Sequence, residues 1–157
     1  MGRKVLFVCI HNSARSQIAE ALLKKYGNGL FKVESAGFEP SSINPLAIEV
    51  LKKEENIDIS ENTSDAVFDL FKKGNHYNFV IAVCDEGNAQ RCPLFPGLNF
   101  RLHWSFPDPN LIQGEDIEKY RKIKEIYTSI KIEILKFIEL VKEDKIRDNF
   151  PLNWKIG

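Results

Sequence analysis

The chain is poor in the residues that would build it by cross-linking. Its 157 residues include only three cysteines, Cys9, Cys84 and Cys92. An odd number without Cys-x2-Cys pairs argues against a disulfide framework and leaves a Cys₃His zinc set, completed by a histidine, as a remote third reading. An excess of either charge is missing too. Lysine plus arginine total 22 and aspartate plus glutamate total 22, so no net field draws in nucleic acid or an anionic membrane. No apolar run approaches the ~20 residues that span a bilayer. Internal repeats, low-complexity tracts and domain linkers are lacking as well. Met1-Gly2-Arg3-Lys4 passes straight into an apolar run with no h-region, and Leu6 stands where a myristoylation signal needs Ser or Thr. The expectation is a cytoplasmic monomer with one domain over residues 1–143 and a tail, 144–157, to which no role attaches.

What is present alternates between two periods. Residues 5–8 and 79–83 are continuous apolar runs, the mark of strands covered on both faces. Residues 31–36 alternate, and 98–104 read as a last short strand. Residues 17–26 show helical spacing, and Asn44-Pro45 is a cap followed by a first-turn proline. Ser64-Asp65 opens a short helix, residues 57–59 read as a strand or a bend, and a long amphipathic helix starts at Glu115. Strands alternating with helices predict an α/β three-layer sandwich, a four-stranded parallel sheet flanked by helices. Sites in such sheets lie beyond the carboxyl ends of the strands. Cys9, Cys84 and Asp108 each follow a predicted strand.

Between the first strand and the first helix stands Cys9-Ile10-His11-Asn12-Ser13-Ala14-Arg15-Ser16. A cysteine, five residues and an arginine, wrapped from strand to helix, make a cradle for a tetrahedral oxyanion. Backbone N–H groups of residues 10–16 point inward, the helix adds its positive end, and Arg15 adds a forked permanent charge. The same field favours Cys9 as a thiolate nucleophile. Ser16 either donates to that thiolate or caps the helix, and Asn12 suits a left-handed backbone. The competing reading is a buried structural cysteine beside a serine cap.

Asp108, held between Pro107 and Pro109, is the natural proton donor to a departing oxygen; the plainer reading is a turn aspartate bonded to its own backbone. Cys84 closes an apolar strand, where cysteines are commonly inert. A second thiol to resolve an intermediate on Cys9, and a third to resolve that disulfide, would nevertheless form a relay through Cys84 and Cys92. His11 is read as lying over the loop rather than as a base. His76 and His103 are read as surface or packing residues.

These residues resemble the thioredoxin-coupled arsenate reductases, which share their fold with the low-molecular-weight protein tyrosine phosphatases. The likeness runs from Cys9 to Ala21 and on through Ser35-Ala36-Gly37, Asn44-Pro45, Thr63-Ser64-Asp65, Val83-Cys84-Asp85, Cys92-Pro93 and residues 103–109. It implies that arsenate settles in the loop, that Cys9 attacks arsenic while Asp108 protonates the leaving oxygen, and that Cys84 and then Cys92 carry the disulfide to thioredoxin. It also implies a potassium ion near the loop, at Asn12, Glu20, Ser35 and Asp65, as the only cofactor. A phosphatase is the alternative and would use the same Cys9, Arg15 and Asp108. Cys92 separates the two, and Asn110-Leu111-Ile112 stands where phosphatases place substrate-stacking aromatics. A non-catalytic anion-binding module would need neither the nucleophile nor the acid.

Overall fold

Val5, Leu6, Phe7 and Val8 are fully buried, which a strand achieves only with both faces of its sheet covered. In the computed structural model, which describes residues 3–84, 91–97, 99–143 and 155–156, they lie in β1 (Arg3–Cys9). β1 pairs in parallel with β2 (Phe31–Gly37) on one side and β3 (Phe79–Ala82) on the other. β4 (Phe100–His103) continues the parallel sheet beyond β3. The four parallel strands are those the alternating pattern predicts. The strand order is β2-β1-β3-β4-β5, and β5 (Lys155–Ile156) runs antiparallel to β4 at the edge. This fifth strand is not in the sequence expectation: two residues are too few to show a period.

Four helices accompany the sheet among the described residues: α1 (Arg15–Tyr26), α2 (Pro45–Glu55), α3 (Val67–Lys72) and α4 (Asp116–Lys142). A 3-10 turn, Pro109–Leu111, precedes α4. The apolar stripe of α4 covers one sheet face. Phe137 meets Phe79 edge-on at 4.9 Å and Trp104 at 5.9 Å, while Phe79 stacks on Phe100. α1, α2 and α4 meet at Glu55, whose buried carboxylate accepts from Lys25, Tyr26, Tyr127 and Lys131. Burial pushes this carboxyl up, but those four hydrogen bonds outweigh it and hold it at about 2.

One local expectation is narrowed and another needs correction. Residues 57–59 form no strand: Ile57 N–H closes the end of α2 on Leu51 O, and Ile59 is buried in a loop. The helix expected at Ser64-Asp65 begins later, with Ala66 as N-cap. Asp65 O accepts from Gly37 N–H at 2.8 Å and Ala66 bridges Gly37, so the chain stays extended there until β2 releases it. Asn44, by contrast, caps α2 as its Asn-Pro sequence predicts, accepting from Leu46 N–H at 2.8 Å. The segment 85–90, expected as a loop or short helix, and most of the tail lie outside the described residues.

Candidate active site

The turn from β1 into α1 buries side chains that would ordinarily seek water. Asn12, Ser13, Arg15, Ser16 and Gln17 are each no more than 5 % exposed. Burial of that kind is tolerated only where hydrogen bonds replace the lost water, and the loop is held by a dense set. The carbonyls of Cys9, Ile10, His11 and Ser13 accept from the N–H groups of Phe38, Glu39, Ser41 and Asn44 at 2.7–3.1 Å. Asn12 O accepts from Gln17 Nε2 and Ser64 Oγ. The carbonyl edge of the loop is thus turned outward onto residues 38–44, which aims its N–H edge inward. Asn12 carries the reversal with φ 51°, the left-handed backbone its residue type tolerates.

Gly37 is the residue the sequence reading passed over. A Cβ there would stand 2.7 Å from Asn12 N and Ile10 O and 2.8 Å from His11 C, all backbone atoms. The loop therefore rests on the hydrogen face of Gly37. A glycine closing a strand looks like any strand terminator; only the fold shows what lies against it.

Inside the turn, Cys9 Sγ accepts from Asn12 N–H at 3.1 Å and lies 2.8 Å from Ser16 Oγ. Neither Ser13 nor Ser16 caps α1, whose N-cap is Ala14 with no side-chain hydrogen bond. The serine-cap reading is therefore set aside: Ser16 faces the thiol and also donates to Asn12 Oδ1 at 2.6 Å. The uncapped helix start leaves its first N–H groups and positive end for an anion.

Arg15 donates from Nη1 to Phe106 O at 3.0 Å, and its Nη2 lies 3.8 Å from Asp108 Oδ1. The segment after β4 thereby folds back over the anion loop and places its carboxylate at the guanidinium. Asp108 is at the same time a turn aspartate, accepting from Asn110 N–H at 2.9 Å as N-cap of the 3-10 turn. The turn reading holds, and the same carboxylate lies beside the guanidinium. His11 Nδ1 donates to Glu39 O at 3.0 Å, which ties the ring to the rim segment.

Cys84 lies two residues beyond β3, beside the end of β1, since Val8 pairs with Ala82 and Val83 N–H donates to Val8 O. It is fully buried. Cys92 is buried as well, and its carbonyl accepts from Arg101 Nη2 at 3.1 Å. Arg101 is in register with Val80, and Val80 with Leu6, three residues or about 10 Å short of Cys9 along the strands. Burial pushes the Cys92 thiol up, against the pull of the Arg101 guanidinium. The structure thus gathers Cys9, Ser16, Arg15 and Asp108, sets Cys84 on the adjoining strand end, and ties the Cys92 backbone to Arg101 of β4.

The four oxygen-bearing residues near the loop form a partial chain. Asn12 Nδ2 reaches Ser35 O at 3.4 Å, Ser35 Oγ donates to Glu20 at 2.5 Å, and Asp65 contributes its carbonyl to Gly37. The second carboxylate oxygen of Glu20 meets Lys24 Nζ at 2.5 Å. Hard oxygen donors suit an alkali cation, and Lys24 shares the Glu20 charge. No helix among the described residues is long and apolar enough to cross a membrane.

A family model described as low molecular weight phosphotyrosine protein phosphatase matches residues 4–147. The arsenate reductase of Halalkalibacterium halodurans is 39% identical over 144 residues, covering 90% of this chain and 100% of the relative. That of Bacillus subtilis is 37% identical over 144 residues with the same coverage. A solved structure described as an arsenate reductase in oxidized state superposes with a TM-score of 0.72 at 30% identity, over 88% of this chain and 98% of the other. The thioredoxin-dependent arsenate reductase of Corynebacterium glutamicum gives 0.68 at 32% identity, over 91% of this chain and 63% of that one.

Proposed function

The chain belongs to the low molecular weight phosphotyrosine protein phosphatase family, and from that premise we propose that it is an arsenate reductase coupled to thioredoxin. Arsenate occupies the turn formed by residues 10–16, its oxygens on inward N–H groups and on the Arg15 guanidinium. The Cys9 thiolate attacks arsenic; one As–O bond breaks, and Asp108 protonates the oxygen, which leaves as water. The Cys84 thiolate attacks Cys9 Sγ. A Cys9–Cys84 bond forms and the S–As bond breaks with its electron pair going to arsenic, which falls from the +5 to the +3 state and departs as arsenite. Cys92 then attacks Cys84 Sγ, freeing Cys9 as the thiolate, and a thioredoxin dithiol reduces the Cys84–Cys92 disulfide.

The observation that carries this reading is the pair of further thiols. Cys84 adjoins the end of β1, and Cys92 follows eight residues later in sequence; hydrolysis of a phosphate ester needs neither. A reducing compartment, the cytoplasm, keeps three thiols reduced. Asn12, Glu20, Ser35 and Asp65 would hold a potassium ion, which would supply positive charge beside the loop.

The test supplies arsenate, thioredoxin, thioredoxin reductase and NADPH and follows NADPH oxidation. Wild-type protein turns over, while Cys92→Ser releases about one arsenite per enzyme and stops. Sustained turnover by Cys92→Ser, or a silent wild type that hydrolyses an aryl phosphate briskly, overturns the proposal, the latter in favour of the phosphatase.

A further inference from the structure

β4 carries two polar side chains that the anion loop does not use. Arg101 and His103 are two residues apart on a strand and so share one face, the face opposite Phe100, which stacks on Phe79 against α4. Each donates to the backbone carbonyl of one cysteine: Arg101 Nη2 to Cys92 O at 3.1 Å, and His103 Nε2 to Cys84 O at 2.5 Å. A carbonyl can only accept, so Nε2 is the protonated ring nitrogen. His103 is 5% exposed, and an imidazole so placed holds its partner firmly because no water replaces the bond if it breaks.

We propose that Arg101 and His103 are the positioning residues of the disulfide relay, holding the backbones of Cys92 and Cys84 on one strand so that the second disulfide closes quickly. This rests on the relay reading given above. The two anchors on β4 restrict how far the two cysteine backbones can wander, where a free loop would have to search for the closed arrangement. Closure by thiol–disulfide exchange also needs Cys92 as the thiolate. The Arg101 guanidinium opposes the upward push of burial on that thiol, so it serves both placement and reactivity. Both hydrogen bonds go to cysteine carbonyls outside residues 10–16, so Arg101 bears on the third step, while His103, which holds Cys84, bears on the second and the third.

The experiment mixes the full-length reduced protein with arsenate and no reductant, quenches it with acid at intervals, and reads arsenite and disulfide-linked peptides. Wild type releases one arsenite and ends as Cys84–Cys92. Arg101→Met releases its arsenite at the wild-type rate but dwells as Cys9–Cys84, with closure slowed about tenfold and its pH dependence moved upward. Arg101→Lys, which keeps the charge and loses the fork, closes more slowly with the pH profile unchanged, and it carries the test by itself if methionine is not tolerated. His103→Gln, with a donor N–H of similar reach, closes faster than His103→Leu. Closure at the wild-type rate and pH profile in both Arg101 variants overturns the positioning role while leaving the relay standing. A wild type that releases no arsenite overturns the relay, and this proposal with it.

Discussion

Gly37→Ala isolates the contribution of backbone packing to the anion loop. The new methyl carbon would stand 2.7 Å from Asn12 N and Ile10 O and 2.8 Å from His11 C, where ordinary contact begins near ~3.4 Å. None of these atoms is the end of a flexible side chain, so the loop or β2 must move by about 0.6–0.7 Å, the difference between those separations. Overpacking of this kind costs about 1–3 kcal/mol, which the folded state survives. Activity does not survive it equally: misplacement of reacting groups by about 1 Å costs on the order of a hundredfold. Gly37 is absent from the positive-φ residues, so the penalty is steric. Gly29→Ala is the matched control, with φ 83° and nothing within 4 Å; it carries a conformational penalty of about 1 kcal/mol far from the loop. In the coupled arsenate assay with parallel thermal melts, Gly37→Ala should lose about 100-fold in kcat/KM while Gly29→Ala keeps wild-type turnover. Wild-type kcat/KM for Gly37→Ala, or an equal loss for both, would refute the claim that the loop is seated on that glycine.

Asp108→Asn keeps the N-cap acceptor for Asn110 and removes the transferable proton, so rapid-quench arsenite release slows by about 10²–10⁴ with little change in melting temperature; an unchanged rate rules out the acid. Glu55 links pH to stability. Its carboxyl goes from an ordinary 4.5 to about 2 on folding, so it contributes about 3 kcal/mol above pH 4.5, and this is lost as pH falls toward 2. Denaturant curves between those values should be shallower for Glu55→Gln than for wild type, and parallel curves contradict the assignment. Potassium in place of sodium at constant ionic strength should raise kcat/KM, more so in Lys24→Ala, where the ammonium no longer shares Glu20; equal rates in both salts and both proteins exclude the ion.

The sequence by itself determined much of the frame. Continuous apolar runs specify buried strands because such runs are stable only between two layers, and β1 and β3 formed where those runs lie. The cradle was equally legible, since Cys9, Arg15 and the helix start fall within one turn of chain and local geometry alone brings them together. Asp108 was legible as a candidate acid but not as a neighbour of Arg15: residues 93 apart in sequence meet only because the segment after β4 folds back, with Phe106 O on the guanidinium. Residue 37 read as a strand terminator and residue 103 as a surface or packing residue. Each took on its role from atoms distant in sequence, the loop backbone in one case and the Cys84 carbonyl in the other. Chemistry carried by residue type and short spacing is written in the chain; contacts that depend on where two strands end and which carbonyl faces which donor are decided by the sheet, because a period fixes the face a side chain takes and leaves its partner open.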